Sequence, residues 1–489
     1  MQIPFAEWLP DAAALGNPGS LTIVNAVPGV TSYKPFKSLE AATDALGARP
    51  RGAFSARDKD RNVYNYAGDV DTLYEQDGDT WADVSQVGGY ATADAEAWEF
   101  VQWKNKVLAT NFSDDPQQIT LGATNFSDLT TALKARHVAV VGDFVTFGNT
   151  FDGIDGNVPW RLRWSAYNNE TDYTVSPTTG SDFRDLKSGG WIQKVVGGEF
   201  GVVVSEQSCY RQLFSGAPDW FQVHETVPGV GTYAAGTVVN VGAFTYFWAE
   251  QGIVELVNGT GVNWIGAGKF DEFVRVDLDD TYLDRISAAR DARGGRVYWA
   301  YPGAGNVNGR PNRILVFDRV LRKANIIEAD VELLWIAAAV GMSLEDLDTI
   351  STNVDTLGVS LDSPQFVGGA RNLAAFNAAY EHGFFTGSNL AARIVTGERQ
   401  LRPGRKTMLN GFRPLVDGGT MTARVGFRNR QEHDVAFSSS IAQSSSGRFP
   451  FRKNARFHRF ELTITGDLWT DAIGVEVDPE HARPSSRRG

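Results

Sequence analysis

The strongest constraint on the fold is a loose repeat of short strand pairs through the middle of the chain. Apolar or aromatic strands that follow a polar or glycine turn begin near residues 61, 104, 142, 198, 242 and 294, so successive starts lie 43, 38, 56, 44 and 52 residues apart. A weaker seventh unit lies at 371–387. One small sheet cannot bury both of its faces, whereas radial stacking of such sheets buries them and shelters their edges. The spacing predicts an irregular β-propeller of six or seven blades, with an irregular β-sandwich as the alternative.

Changes in composition and strand pattern divide the chain into further regions. The propeller is predicted at 46–390, interrupted near 320–362 by an inserted, partly helical segment. Alternating strands separated by "DGG", "SSSIAQSSSG" and "TGD" turns predict a β-sandwich or barrel platform domain at 391–480. Residues 1–45 are turn-rich and are interpreted as an arm packed on another domain, with the C-terminal domain as the partner to test. The basic end, 481–489, is expected to be a disordered tail. The overall prediction is an all-β protein.

Charge is distributed unevenly along the chain. From residue 391 onward there are 17 Lys/Arg and 10 Asp/Glu, a balance of +7, so the net charge of −12 leaves −19 in residues 1–390. This asymmetry predicts two regions with different neighbours, and it argues against a DNA reader because the larger region repels DNA. The single cysteine, Cys209, excludes an internal disulfide framework and suits a reducing cytoplasm. Neither a signal peptide nor a membrane-spanning segment is expected.

The stretch "NGTGVNWIGAGKFDEF" at 258–273 resembles a phosphate-binding loop in composition but fails its templates. The P-loop pattern needs glycine where Asn263 stands and Ser or Thr where Phe270 stands. The dinucleotide pattern needs glycine at the position of Asp271. We therefore interpret the glycines as turn residues at a blade edge, and Lys269 as a candidate for local pairing with Asp271 or Glu272.

Acidic residues cluster in "DLDDTYLD", where we single out Asp277, Asp279, Asp280 and Asp284 as a candidate acidic channel or interface cluster. An EF-hand calcium loop would need glycine where Tyr282 stands. The six histidines show no metal-ligand spacing, and no nucleophile elbow is present. One defective Asp-box-like turn, "DGDTW" at 77–81, is weak support for a glycosidase. We expect no catalytic residue, metal or cofactor, and no enzyme activity.

Basic and aromatic residues alternate in "GRFPFRKNARFHRF" at 447–460. On a period-2 strand both faces mix aromatic and polar side chains, which fits a protein interface as well as nucleic-acid binding. Arginine and aromatic residues are enriched in protein interfaces, so we favour a subunit or adaptor contact. Its candidate residues are Arg452, Lys453, Arg456 and Arg459.

Several longer segments resemble one protein family. "RLRWSAYNNETDY" at 161–173, "KFDEFVRVDLDDTYLDRISAARDARGGRVYWAYPG" at 269–303 and "GGARNLAAFNAAYEHGFFTG" at 368–387 are similar to the packaged-DNA stabilisation proteins of short-tailed phages, also called tail accessory, tail hub or nozzle proteins. The ends "QIPFAEWLPD" and "GFRPLVDGGTMTARVGFRNR" are similar too, so the resemblance covers nearly the whole chain.

The resemblance implies a structural role in the virion tail, after synthesis and assembly in the host cytoplasm. It implies a homohexameric ring below the portal and the head-to-tail adaptor, contacts with other tail proteins such as a needle or fibres, and DNA that passes without sequence-specific binding. An acidic wall would repel phosphate and let the duplex slide. The alternatives are a carbohydrate-binding, receptor-recognising tail propeller and, less favoured, a glycosidase.

Overall fold

The structure is a computed structural model that describes residues 1–153, 155–291, 295–339 and 371–477, together with the backbone of 482–484. Regular structure in these residues is almost entirely β-strand. The helical elements among them are one α-helix, Asp271–Asp277 (α1), and three 3₁₀ turns at Lys187–Gly189, Ala235–Thr237 and Asp280–Arg285.

Five strands precede the first blade, and four of them pair with strands from much later in the chain, whereas the third pairs with the fourth. They are Gln2–Pro4 (β1), Ser20–Val24 (β2), Ala26–Pro28 (β3), Tyr33–Pro35 (β4) and Glu40–Ala45 (β5).

Five four-stranded antiparallel sheets, blades 1–5, then follow in chain order. Blade 1 is Gly52–Arg57 (β6), Val63–Gly68 (β7), Leu73–Asp77 (β8) and Thr80–Asp83 (β9). Blade 2 is Glu99–Trp103 (β10), Lys106–Thr110 (β11), Gln117–Thr120 (β12) and Ser127–Asp128 (β13). Blade 3 is Leu133–Val141 (β14), Phe144–Asp152 (β15), Gly156–Trp164 (β16) and Asp182–Asp185 (β17). Blade 4 is Ile192–Val196 (β18), Gly201–Ser205 (β19), Ser208–Phe214 (β20) and Phe221–Pro228 (β21). Blade 5 is Val239–Val241 (β22), Phe244–Ala249 (β23), Gly252–Val257 (β24) and Gly261–Trp264 (β25).

Blades 6 and 7 complete the ring. Blade 6 is Ser287–Arg290 (β26), Arg296–Tyr301 (β27), Arg313–Asp318 (β28) and Lys323–Glu328 (β29). Blade 7 is Leu333–Ala338 (β30), Arg371–Phe376 (β31) and Glu381–Phe384 (β32), and its outermost strand is β5 from the N-terminal arm. A strand from before blade 1 thus closes the last blade.

The first strands of neighbouring blades contact one another at the centre of the ring, including those of blades 7 and 1. Where the first-strand contact is weaker, between blades 4 and 5, the two sheets meet through a buried apolar cluster that includes Val204, Cys209 and Phe247. The second strands of the blades are largely buried on both faces, as in "GVVVS" of β19, and therefore read as continuous apolar runs. The predicted propeller is confirmed, with seven blades among the described residues.

The C-terminal region forms a β-sandwich. Its strands are Ala392–Thr396 (β33), Thr407–Asp417 (β34), Thr420–Arg428 (β35), Ala436–Phe437 (β36), Ile441–Ala442 (β37), Phe449–Ala455 (β38), Phe457–Thr465 (β39), Asp471–Glu476 (β40) and Ala482–Pro484 (β41). One sheet runs β2-β33-β39-β35-β36, with β37 on β35. The other runs β3-β4-β40-β34-β38, with β1 on β40 and β41 on β34. Apolar side chains from both sheets share one core, in which the rings of Phe412 and Phe460 lie 5.1 Å apart.

The N-terminal arm joins the sandwich to the propeller. Strand β2 pairs antiparallel with β33 of the sandwich and parallel with β29 of blade 6, through Val24 and Ile326. The sheet of blade 6 therefore continues into one sheet of the sandwich.

Three local expectations differ from the structure. The inserted segment expected from 320 is wrong as far as 339, because β29 and β30 are blade strands there, and its remainder to 362 lies outside the described residues. The disordered tail is wrong at Ala482–Pro484, which pairs with β34; its other residues also lie outside the described part. The stretch 447–460 does not follow one strand, because β38 ends and β39 begins on either side of Arg456, in different sheets.

Candidate functional site

A channel lined by both polar and apolar residues runs along the propeller axis between the first strands of the blades. It has a volume of about 780 Å³. Every blade contributes to its wall, and one lining residue from each blade in turn is Ser55, Glu99, His137, Lys194, Asn240, Arg290 and Arg371.

Glu99 is the charged centre of this channel. Lys194 donates a hydrogen bond to its Oε1 at 2.6 Å, and Nδ1 of His137 lies 2.8 Å from the same oxygen. Burial alone raises the pKa of Glu99, but the charges and hydrogen bonds of Lys194 and His137 outweigh burial and lower this pKa to about 2. The carboxylate therefore stays ionised and links blades 2, 3 and 4.

Some of the other charged side chains in the channel wall form ion pairs and others do not. Glu96 of the channel accepts from Arg136 at 2.6 Å. In contrast, neither Arg290 nor Arg371 forms an ion pair within the described part of the chain. The channel thus combines two paired glutamates with two arginines that have no ion-pair partner among the described residues, which favours an anionic ligand over a cationic one.

The sequence prediction missed this wall because the first strands are short and partly polar. "GAFSAR" (β6) and "SAAR" (β26) lack the long apolar run that identifies the second strands. A signal was present, since both strands contain serine and end in Ala-Arg, and both of these arginines lie at the end of the first strand of a blade.

The predicted acidic cluster divides into two parts. Asp277 accepts from the Tyr301 hydroxyl at 2.9 Å, and Asp279 accepts from the Asn306 amide at 3.0 Å. These two carboxylates stabilise the loops beside α1 and are half-buried. Asp280 and Asp284 are exposed.

Asp284 lies at the mouth of the axial channel, close enough to Arg49 to act on its charge. Burial and the charges of Arg285 and Arg51 lower the pKa of Arg49, while Asp284 opposes them. The structure therefore gives Asp284 a cationic neighbour, and it does not bring all four acids to one free surface.

The predicted basic cluster divides in the same way. Arg452 and Arg456 are exposed, whereas Lys453 lies over the Phe427 ring at 4.8 Å from its centroid. Arg459 lies 3.5 Å from the buried carboxylate of Glu398, so its charge is used inside the sandwich. Two of the four residues are free to meet a partner.

Residues 258–273 hold a turn, an edge strand and the start of α1. Gly259 has a φ of +69° in the turn between β24 and β25, a conformation that favours glycine. Lys269 does not pair with Asp271 or Glu272 as expected; its Nζ lies 2.8 Å from Glu7 Oε1 in the N-terminal arm. The reason is that Asp271 turns inward to accept a hydrogen bond from the Ile253 amide. Lys269 therefore pairs with Glu7, an acid that is distant in sequence.

Other candidate chemistry is structural. Cys209 is buried, and burial raises the pKa of its thiol to about 12, which matches a packed residue rather than a nucleophile. No group of His, Cys, Asp and Glu side chains suited to a metal ion occurs among the described residues. Of the helices that the structure describes, none is long and apolar enough to cross a bilayer.

Comparisons with known proteins identify similar folds but no family. The chain matches no protein-family profile and no curated protein. Among solved structures it is similar to BamB from Moraxella catarrhalis, with 9% identity, a TM-score of 0.35 and coverage of 74% of this chain and 92% of that one. It is also similar to the Pan2 WD40 domain of Neurospora crassa, with 6% identity, a TM-score of 0.34 and coverage of 63% and 90%. Both are β-propellers.

Proposed function

We propose that the protein is a structural component of a short-tailed phage virion, a tail hub or nozzle subunit. The observation that carries the proposal is the sequence resemblance of segments 161–173, 269–303 and 368–387 to that family. The last two of these segments contribute strands to blades 6 and 7, which adjoin the N-terminal arm and the sandwich. In this proposal the subunits form a sixfold ring below the portal and adaptor, contact needle or fibre proteins, and serve no catalytic purpose.

The distribution of charge along the chain supplies a physical reason for this role. Residues 1–390 carry −19, and an acidic wall repels the phosphate backbone so that packaged DNA moves without being bound. The sandwich region carries +7, and its exposed Arg452 and Arg456 offer a contact for an acidic adaptor surface.

Electron microscopy of the purified chain, alone and with its portal–adaptor complex, tests the proposal. We expect sixfold rings on the complex, and weaker assembly of the Arg452→Glu/Arg456→Glu variant because two favourable charges become repulsive. Arg184→Glu, an exposed reversal on the outer strand of blade 3, is the matched control and should assemble normally. Wild-type chains that never join a ring would refute the role.

The acidic cluster is tested separately. Asp280→Asn/Asp284→Asn removes the two exposed charges without touching the hydrogen bonds of Asp277 and Asp279. If these acids line the DNA path, the variant should retain more DNA and eject it more slowly in assembled particles. Unchanged ejection would exclude this cluster from the path while leaving the ring proposal standing.

A glycan-binding tail propeller is the second candidate, and an exposed aromatic surface on blades 3 and 4 favours it. Tyr167 and Phe214 are about half exposed, and the ring of Tyr167 stacks on Trp220 with centroids 5.7 Å apart. Sugars stack on such faces through their apolar C–H groups. Glycan-array binding that disappears in Tyr167→Ala, with no ring formation, would select this candidate over the first.

A further inference from the structure

Two arginines of the axial channel, Arg290 and Arg371, have a third arginine, Arg57, within electrostatic reach, and the three come from three consecutive blades. Arg57 ends β6 of blade 1, and Arg290 ends β26 of blade 6. Arg371 begins β31 of blade 7 and pairs with Ala338, the last residue of the inner strand β30. Arg290 and Arg371 line the same cavity. Burial and the neighbouring charges of Arg57 and Arg290 lower the pKa of Arg371, which places the three guanidinium groups within electrostatic reach of one another.

These arginines lack the partners that other inward-facing arginines have. Nε and Nη2 of Arg57 and Nε of Arg371 are buried without a hydrogen-bond acceptor, counting acceptors in the described residues. Within the described part of the chain, Arg290 has one acceptor, the Asn240 carbonyl, at 3.5 Å. Arg161 of blade 3 is a useful contrast, since Asp152, Asp155 and Asp185 surround it at 2.7 to 3.1 Å. Unpaired buried donors and clustered like charges both cost stability.

We propose that the end of the axial channel lined by Arg290 and Arg371, with Arg57 beside them, binds an oxyanion, a phosphate or carboxylate group carried by a small molecule. The planar fork of a guanidinium matches two oxygens of such a group, and three forks from three directions can satisfy a tetrahedral or branched anion. The channel volume of about 780 Å³ admits a metabolite-sized ligand. This site belongs to each single propeller, so it does not depend on ring assembly.

The test uses the full chain and two probes at matched ionic strength, inorganic phosphate and succinate. Isothermal titration and thermal unfolding are compared for the wild type, Arg290→Met, Arg371→Met and the double variant. We expect wild-type affinity for at least one probe to fall about tenfold or more with each arginine removed, because each loses a charge-assisted contact. Phosphate also stabilises proteins by surface exclusion, so only the difference between variants counts. Arg452→Met, exposed on the sandwich, is the matched control and should bind like the wild type.

The two probes distinguish a phosphate site from a carboxylate site. A response to phosphate alone identifies a phosphate site, and a response to succinate identifies a carboxylate site. In chloride without either probe, Arg371→Met should unfold at a higher temperature than the wild type because it relieves repulsion among the three charges. Equal anion responses in the wild type and the double variant would overturn the proposal. A lower unfolding temperature of Arg371→Met in chloride would also overturn it, because the fold itself would then be satisfying the arginine.

Discussion

Three buried glutamates, Glu398, Glu332 and Glu461, are each held by two arginines. Glu398 accepts a bidentate pair from Arg428 at 2.7 Å and lies 3.5 Å from Arg459. Its side chain is 2% exposed, so both its charge and those of its partners depend on the pairing. Glu332 and Glu461 repeat the arrangement in the propeller and the sandwich.

We expect Glu398→Gln to lower the free energy of unfolding by about 3 kcal/mol, because removal of the carboxylate charge leaves two nearly buried cations uncompensated. Glu432→Gln is the control, since that glutamate pairs with Arg430 at the surface, where the loss should stay below about 1 kcal/mol. Urea unfolding of the three proteins measures both values. Equal losses in the two variants would contradict the distinction between buried and exposed pairs.

The carboxyl group of Asp271 makes the stability of the fold depend on pH. Its Oδ1 accepts from the Ile253 amide at 3.2 Å beside the first turn of α1. Burial, and then the charge of Asp11, raise the pKa of this carboxyl to about 6. Since the folded chain holds the proton more tightly than the unfolded chain, the contribution of this group to stability is complete below about pH 4 and is lost as pH rises through about 6.

Between pH 4 and 7 the wild type should therefore lose about 1 kcal/mol more unfolding free energy than Asp271→Asn, after allowance for the solvent screening of a half-buried group. Asparagine keeps the acceptor for the Ile253 amide but cannot ionise. Unfolding at pH 4, 5.5 and 7 measures the difference, and Asp280→Asn, at an exposed position, should follow the wild type. Parallel curves for the wild type and Asp271→Asn would show that this carboxyl is not the source.

At the scale of elements, the sequence predicts strands that are buried on both faces and misses those that are not. The repeat starts near 61, 104, 142, 198, 242 and 294 correspond to the second strands of blades 1–6, such as β19 and β23, whose apolar runs are continuous. The first strands carry the channel's polar side chains, so a search for continuous apolar runs does not find them. The outermost strand of blade 7 escapes for another reason: β5 is separated from β32 by most of the chain, and no local pattern specifies so distant a pairing.

The same limit applies to the candidate sites. Spacing grouped Arg452 with Arg459, but the change of sheet at Arg456 sends one side chain to solvent and the other to Glu398. Likewise, Lys269 pairs with Glu7 because the arm folds back across the propeller edge. In both cases the position of the charged side chain depends on a partner that is far away in the sequence.

Closure of blade 7 depends on a glycine. A methyl group at Gly383 of β32 would collide with the carbonyl oxygen of Glu40 and with the backbone of Ala41, both in β5. We expect Gly383→Ala to cost about 3 kcal/mol of unfolding free energy and to expose the arm to protease, because β5 can no longer lie in register. Gly261→Ala in β25 is the control, since its nearest neighbour, Val257 Cβ, would be 3.6 Å away. An arm that stays protected in Gly383→Ala would show that closure tolerates the added atom.

At the scale of the whole molecule, the propeller and the sandwich share one hydrophobic core. Trp248 and Trp299 of blades 5 and 6 belong to the same buried cluster as Phe412 and Phe460 of the sandwich. Strand β2 supplies the backbone link, and Ile23 within it is fully buried. A joint of this kind transmits unfolding between domains, because neither face can separate without exposing apolar surface.

Ile23→Ala tests this coupling, since it leaves the register of β2 with β29 and β33 intact while removing buried side-chain volume. The cavity should cost about 2 to 5 kcal/mol. Hydrogen exchange should then show equal losses of protection around Leu315 in blade 6 and Leu462 in the sandwich, because one cooperative unit contains both. Ile473→Ala, at a position that is half exposed on β40, should change neither. Loss of protection in the sandwich alone would mean that the arm belongs to that domain and that the two parts unfold independently.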